Sequence, residues 1–386
     1  MNQVVVTGVG AVSALGVGRD ALWLRVLDGQ SGLRPMQRFE ATGLRNTLAG
    51  EVPEDAWAPL AVEGEPRVTG YARVAVDEAV RQSRLGLDTV RVALVVATNF
   101  GGQDDLWVQS PGAQRLAGGD FGSTAEVIAR RLGIDGPVVT LSNACSSGTQ
   151  AVGHAADLIR AGLADAAIAV GTDELGLFCL SGLSILHTIT TDTIRPFDAR
   201  RSGTIFGEGA GALVLESVEC AAAREANAMA TVLGYGVTNN AYHMTAPDKG
   251  GEGMVVAMRR ALDQAGIGPE RVGHVNAHAT GTEHHDPAET AAVKTVLGDH
   301  AYQVPVSAIK AATGHAMGAA GALEAVVSVL ALRDQAVPPT LNLDEPDPAC
   351  DLDCVPGKSR YAEFEVVLSV SAGLGGNNAA LLLGRC

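Results

Sequence analysis

Cys145 stands in Ser142-Asn-Ala-Cys145-Ser-Ser-Gly148, where the β-branched stretch PVVTLSN gives way to a turn and then to the small-residue helical pattern TQAVGHAADLIRAGLAD. A cysteine at a helix start meets the positive end of the helix dipole and unpaired backbone N–H groups, which favour its thiolate. The same N–H groups can hold the oxyanion that forms when a thioester is attacked. A lone cysteine is ordinarily a buried structural residue, and that reading is kept for Cys179, Cys220, Cys350, Cys354 and Cys386.

Two imidazoles complete the candidate chemistry. His278 lies in Asn276-Ala-His278-Ala-Thr280-Gly-Thr282-Glu-His-His-Asp286-Pro-Ala-Glu289, at the end of an apolar run and among small residues. Such an imidazole faces a cavity and can donate a hydrogen bond to a carbonyl oxygen as it gains charge. His284, His285 and Asp286 offer metal-ligand types, but contiguous residues rarely converge on one ion and no regular ligand spacing is present, so no metal site is expected. His315, in Lys310-Ala-Ala-Thr-Gly314-His315-Ala-Met-Gly, is expected to begin a helix, a position that favours neutral imidazole. Lys310 and Glu324 are candidates for ordering it, or form a simple structural ion pair. The loop Ser371-Ala-Gly373-Leu374-Gly375-Gly376 lies between two apolar strands and reads either as an anion cradle or as a tight hairpin.

The elements that position these groups are α/β. Runs such as VVVTGVG, VALVVATN, AAIAVGTDE, HVNAHAT and VVLSVSAG alternate with alanine-rich helical stretches, which predicts buried, largely parallel strands. An internal echo runs through them. Gly148 and Gly318 open similar helices at an offset of 170, GEGAGALVLES and GLGGNNAALLLG follow at 166, and VVATNFGG and VNAHATGT are separated similarly. Three pairings in order predict a duplicated α/β unit, with halves 1–226, carrying the cysteine, and 227–386, carrying both histidines.

Composition narrows the class. An apolar fraction of 47% describes a well-buried globular chain, and a net charge of −15 with no basic block argues against a nucleic-acid binder. The six cysteines form no CxxC pair and no secreted-type framework. The longest apolar helical stretch, Met317 to Leu332, is 16 residues with Glu324 inside it, too short and too charged to span a bilayer. A soluble, reducing, cytoplasmic setting is expected, without membrane insertion.

Together and in this order, the four motifs resemble those of the β-ketoacyl-acyl-carrier-protein synthases of the elongating type. The resemblance runs from VVVTGVG to GLGGNNAALLLG and includes RPFDARRSGTIFGEGAGALVLES; the spacings 278 to 310, 278 to 315 and 315 to 324 are 32, 37 and 9. It implies a thiolase-like fold, two similar α/β halves forming a layered α-β-α-β-α core, usually dimeric. It implies ping-pong chemistry in which Cys145 carries an acyl group while malonyl-carrier protein loses CO2. His278 and His315 would stabilise the enolate, Lys310 would support them, and the N–H groups of Cys145 and Leu374 would hold the second oxyanion. Glu324, Thr280 and Thr282 would support the site, with Gly373 and Gly375 shaping its loop. No cofactor, metal or nucleotide is implied beyond the phosphopantetheine arm of an acyl carrier protein.

Two departures stand out. Leu374 occupies the place of an aromatic gate, and the stretch between Asn99 and Ser142 is shorter than usual by about one or two helical turns. Phe100 is the candidate for closing the acyl pocket. Carrier proteins are acidic, so docking on this acidic chain is expected to use a local cluster, Arg195, Arg200 and Arg201. A homodimer, or a heterodimer with a non-catalytic chain-length partner, fits the resemblance. A thiolase would need a second cysteine near the C-terminal glycine loop, which is absent there, and a cysteine hydrolase would leave His315 unexplained.

Overall fold

Ten runs form the main strands, and most are buried on both faces; the edge strand at Val138–Leu141 and the end of the strand at Ala230–Asn239 are only partly covered. From the first half come β1 (Val4–Ser13), β2 (Val92–Ala97), β3 (Val138–Leu141), β4 (Ala166–Asp173) and β5 (Gly209–Ser217). From the second come β6 (Ala230–Asn239), β7 (His274–Asn276), β8 (Val306–Ser307), β9 (Val366–Gly373) and β10 (Asn377–Gly384). The structure is a computed structural model that describes residues 3–102 and 120–386. Residues 103–119, within the stretch read above as shortened, lie outside the described residues.

The strand order is β3-β2-β4-β5-β1 in one half and β8-β7-β9-β10-β6 in the other. Position for position the two orders match, and so do the directions. The duplication read from the motif offsets is therefore repeated in the topology. Val4–Val6 of β1 pair antiparallel with Ala230–Val232 of β6, which joins the halves into one path.

The expectation of largely parallel strands needs correction. β5 runs antiparallel to both β1 and β4, and β10 antiparallel to both β6 and β9; only the β2 and β7 ladders are parallel. A strand buried on both faces shows a continuous apolar run whichever way it points, so composition does not encode direction.

Two helices fill the middle layer: α3 (Ser147–Arg160), following α1 (Arg67–Ser83) and α2 (Ser123–Leu132) in the chain, and α7 (Ala320–Asp334), which is buried from Ala320 to Leu332. They touch each other and the inner faces of both half-sheets. The outer layers are α1 and α2 on the first half, and α5 (Glu252–Ala265) and α6 (His285–Leu297) on the second, with α4 (Leu177–Ile185) beside the site. This is the α-β-α-β-α layering expected.

Glycine makes the middle crossing possible. A Cβ on Gly148 would lie 2.6 Å from the Ala322 nitrogen, and one on Gly321 only 2.2 Å from Thr149 Oγ1. Such contacts are not tolerated by packed heavy atoms, so both positions need a bare backbone. Among the described residues no helix is long and apolar enough to cross a membrane.

Candidate active site

The ends of the central strands converge on one cavity of about 310 Å³, lined among others by Cys145, His278, His315, Phe100 and Leu374. The sequence-predicted centre is thus assembled from both halves.

Cys145 sits between β3 and α3, two residues before the first helical residue, with Ser146 at the cap position. Ala144 before it takes a left-handed φ of 51°, and Ala279 after His278 takes 36°. Non-glycine residues rarely adopt such angles, and here they aim the neighbouring side chain out of the strand line into the cavity. Gly373 presses on this turn: a Cβ there would lie 2.8 Å from the Cys145 nitrogen and 2.9 Å from Ala144 Cβ. The Leu374 N–H donates to the Cys145 thiol.

Burial pushes the Cys145 thiol up to about 12, against the downward pull of the Lys310 ammonium. The expectation that the helix start favours a resting thiolate is corrected accordingly. Desolvation disfavours the charged sulfur more than the Lys310 ammonium and the Leu374 N–H favour it.

His278 follows β7, and its loop is held by carboxylates on α6. The N–H groups of His278 and Ala279 donate to Glu289 at 2.7 and 2.8 Å, and Gly281 N–H donates to Asp286 at 3.1 Å. Asp286 also accepts from Phe197 N–H at 2.8 Å. The ring's Nδ1 lies 3.2 Å from Lys310 Nζ. A lysine ammonium has only donors, so Nδ1 accepts and the proton resides on Nε2. Burial first, then the ammonium of Lys310, holds His278 well below the usual imidazole range.

His315 is paired through its backbone with the segment before β5: its N–H donates to Ile205 O at 2.8 Å and its carbonyl accepts from Gly207 N–H at 3.0 Å. Its ring stacks on Phe206 at 5.6 Å and meets the His278 ring edge-on at 5.3 Å. The expectation that His315 begins a helix is corrected: α7 starts at Ala320 after a single 3-10 turn, Met317–Ala319. Its neutrality has another cause, since burial and then Lys310 hold it well below the usual range. Lys310 ion-pairs with Glu324, and both are 1% exposed. Burial raises Glu324 to about 7 despite the lysine.

Thr280 and Thr282 line the cavity with their hydroxyls 3.0 Å apart. Phe100 lines it too and meets the Phe178 ring of α4 edge-on at 6.4 Å. Gly375 has a φ of 80°, which lets the loop turn after Leu374.

The arginine cluster is heavily paired. Arg195 bridges Asp192 and Asp344, and Arg200 bridges Asp198, Asp344 and Glu345. Arg201, with a 6% exposed side chain, pairs with Asp347 and donates to the carbonyls of Thr282 and Glu283. It braces the His278 loop, whereas Arg200, 44% exposed, presents its guanidinium to solvent. Among the described residues no His, Cys, Asp and Glu cluster is arranged to hold a metal ion.

Two participants escaped the sequence reading. Asp173, at the end of β4, accepts from the N–H groups of Asn99, Phe100 and Gly318 and from the Thr98 hydroxyl, clamping the Phe100 turn to the His315 segment. Its signal was present in the run GTDE, where an acid closes a buried strand. His285, considered only as a metal ligand, lines the cavity beside His278.

Residues 1–221 match the family described as beta-ketoacyl synthase, N-terminal domain, and residues 229–344 match beta-ketoacyl synthase, C-terminal domain. The chain is 37% identical to 3-oxoacyl-[acyl-carrier-protein] synthase 2 of Coxiella burnetii, covering 100% of this chain and 99% of that protein. It is 40% identical to a putative polyketide beta-ketoacyl synthase 1 of Streptomyces cyaneus, covering 99% and 98%. Among solved structures, the ishigamide ketosynthase/chain length factor superposes with a TM-score of 0.94 at 36% identity, covering 100% of this chain and 99% of that one. With a cysteine turn, two buried imidazoles and a glycine loop meeting at one cavity, and with matches over both halves, the chain belongs to the beta-ketoacyl synthase family.

Proposed function

We propose that the chain performs decarboxylative condensation, extending an acyl group on Cys145 by two carbons from malonyl-carrier protein. The observation that carries this reading is the meeting of Cys145 with two imidazoles, both held neutral, in one mostly apolar cavity.

In the first half-reaction Cys145 Sγ bonds to the acyl carbon, the carrier's C–S bond breaks, and the thiol proton passes to the departing carrier thiolate. A nucleophile stored as a neutral thiol suits this exchange, since no net charge enters the buried site. In the second, the bond to CO2 breaks and its electron pair moves into the enolate. His278 Nε2–H and His315 hold that oxygen, with Lys310 setting the tautomer of His278. The enolate carbon attacks the acyl carbonyl, whose oxygen is held by the N–H groups of Cys145 and Leu374. Collapse releases the Cys145 thiolate, which takes up one proton. No metal, nucleotide or other cofactor enters these steps.

The partner in this reading is an acyl carrier protein, docking near Arg195 and Arg200. Residues 1–226 and 227–386 act as the two halves, within a cytoplasmic dimer. A second reading, the active half of a heterodimer with a chain-length subunit, is favoured by the likeness to the ishigamide ketosynthase/chain length factor.

Intact-protein mass spectrometry tests the proposal. Incubation with acyl-carrier protein is expected to add one acyl group at Cys145, and malonyl-carrier protein then to remove it as a product two carbons longer with release of CO2. Loading followed by hydrolysis, or loading on another cysteine, would refute it.

A further inference from the structure

His285 is an imidazole that the mechanism above does not use. It is 8% exposed, lines the cavity, and neither ring nitrogen has a hydrogen-bond partner among the protein groups. Leaving a buried polar group unpaired costs stability, and a phenyl ring would fill the same space without that cost. The imidazole therefore points to a ligand.

Its surroundings indicate which one. The His285 and His278 ring centroids are 5.0 Å apart, meeting edge-on. Nδ1 of His285 lies 3.7 Å from Glu289 and 3.8 Å from Asp286, too far for hydrogen bonds, and both carboxylates are already engaged by the backbone N–H groups of the 278–281 loop and of Phe197. His285 is also the first residue of α6, a 13-residue helix whose N-terminal end favours negative charge. An anion entering beside His278 would be repelled by Asp286 and Glu289 unless a donor stood next to them.

We propose that His285 binds the carboxylate of the malonyl unit while His278 and His315 hold its thioester oxygen. This rests on the condensation reading and deepens it. The two carbonyl carbons of a malonyl group are separated by one methylene, about 2.5 Å, so their oxygens fall within reach of two rings 5.0 Å apart. The contact is kept until the bond to CO2 breaks, so it contributes alike to the bound substrate and to the transition state. It serves selection of the extender rather than the rate of bond breaking.

Two variants test this, each with melting temperature as a folding check. His285→Phe keeps ring bulk and removes both nitrogens; His285→Asn keeps an N–H donor. For His285→Phe the KM for malonyl-carrier protein is expected to rise about tenfold to a hundredfold, the loss of one hydrogen bond to a charged group, with kcat changing only a few-fold. His285→Asn should fall between it and the wild type. Inhibition by acetyl-carrier protein, which lacks the carboxylate, should be unaltered in both. An unchanged KM for malonyl-carrier protein, or equal weakening towards malonyl and acetyl forms, overturns the proposal. Extended product from the wild type reports separately on the condensation reading, so the two failures are distinguishable.

Discussion

The Thr149 and Ser371 hydroxyls share a hydrogen bond of 2.7 Å across the middle layer. Thr149 belongs to α3, which Cys145 precedes, and Ser371 to β9, which ends at the Gly373 loop. Ser371 also lies 3.4 Å from Glu324, which pairs with Lys310, which meets His278. One buried polar line thus runs from the imidazole of the second half to the nucleophile helix of the first.

Breaking that line at the ion pair should be costly. Lys310→Met leaves Glu324 buried without its partner, and loss of one member of a buried pair typically costs about 3–5 kcal/mol. The double variant Lys310→Met/Glu324→Gln removes both charges and should recover much of that stability without recovering condensation. Denaturant titration and product assays separate the two effects; a double variant no more stable than the single would contradict the paired-charge account.

The two imidazoles should affect one half-reaction more than the other. His278→Ala and His315→Ala are expected to lower condensation by about 100-fold to 1,000-fold, the usual cost of losing an oxyanion donor. Self-acylation of Cys145 should suffer far less. Single-turnover measurements with labelled acyl-carrier protein decide the point, and equal losses in both steps would reject the division of labour.

The thiol raised to about 12 makes a pH prediction. A raised pKa keeps the neutral form dominant through the neutral range, so alkylation of Cys145 by iodoacetamide should climb about tenfold per pH unit, as the thiolate fraction does. No plateau should appear below about pH 10. Cys145 activated as a resting thiolate would instead plateau near neutrality.

Docking can be probed at Arg200 without disturbing the centre. Arg200→Glu should raise the KM for carrier-bound substrates, with added salt reproducing part of the effect. Arg201→Glu should instead lower the melting temperature, because that side chain braces the carbonyls of Thr282 and Glu283. Unchanged kinetics for Arg200→Glu would move the docking surface elsewhere.

Phe100→Ala opens the cavity beside Cys145 and should lengthen accepted chains by a few carbons, each buried CH2 contributing about 0.8 kcal/mol. Product length by mass spectrometry checks this. A drop in melting temperature with an unaltered product profile would mark Phe100 as packing against Phe178 only.

Residue type and spacing made much of this legible. Cys145, His278 and His315 sit in runs of small residues, where little but chemistry accounts for a cysteine or an imidazole, and the paired offsets anticipated the repeated strand order. Strand direction was hidden, because β5 and β10 are buried along nearly their whole length and read as buried strands whichever way they run. His285 was hidden for a different reason: beside His284 and Asp286 it looked like one of a contiguous trio, and only the start of α6 turns it alone towards the cavity. The raised thiol of Cys145 was out of reach as well, since desolvation is a property of the packed surroundings and not of the local motif.

The glycine crossing between α3 and α7 also bears on how such an enzyme can diversify. Backbone meets backbone or a short hydroxyl there, so drift in sequence has almost no room at the crossing itself. The cavity rim is built differently, from partly exposed side chains on separate segments, among them Thr188, Asn240 and His243. Selection can therefore retune which chains are accepted by changing the rim one residue at a time, while the reactive centre is inherited unaltered. An engineer altering product range would do well to randomise the rim and leave every glycine of the crossing in place.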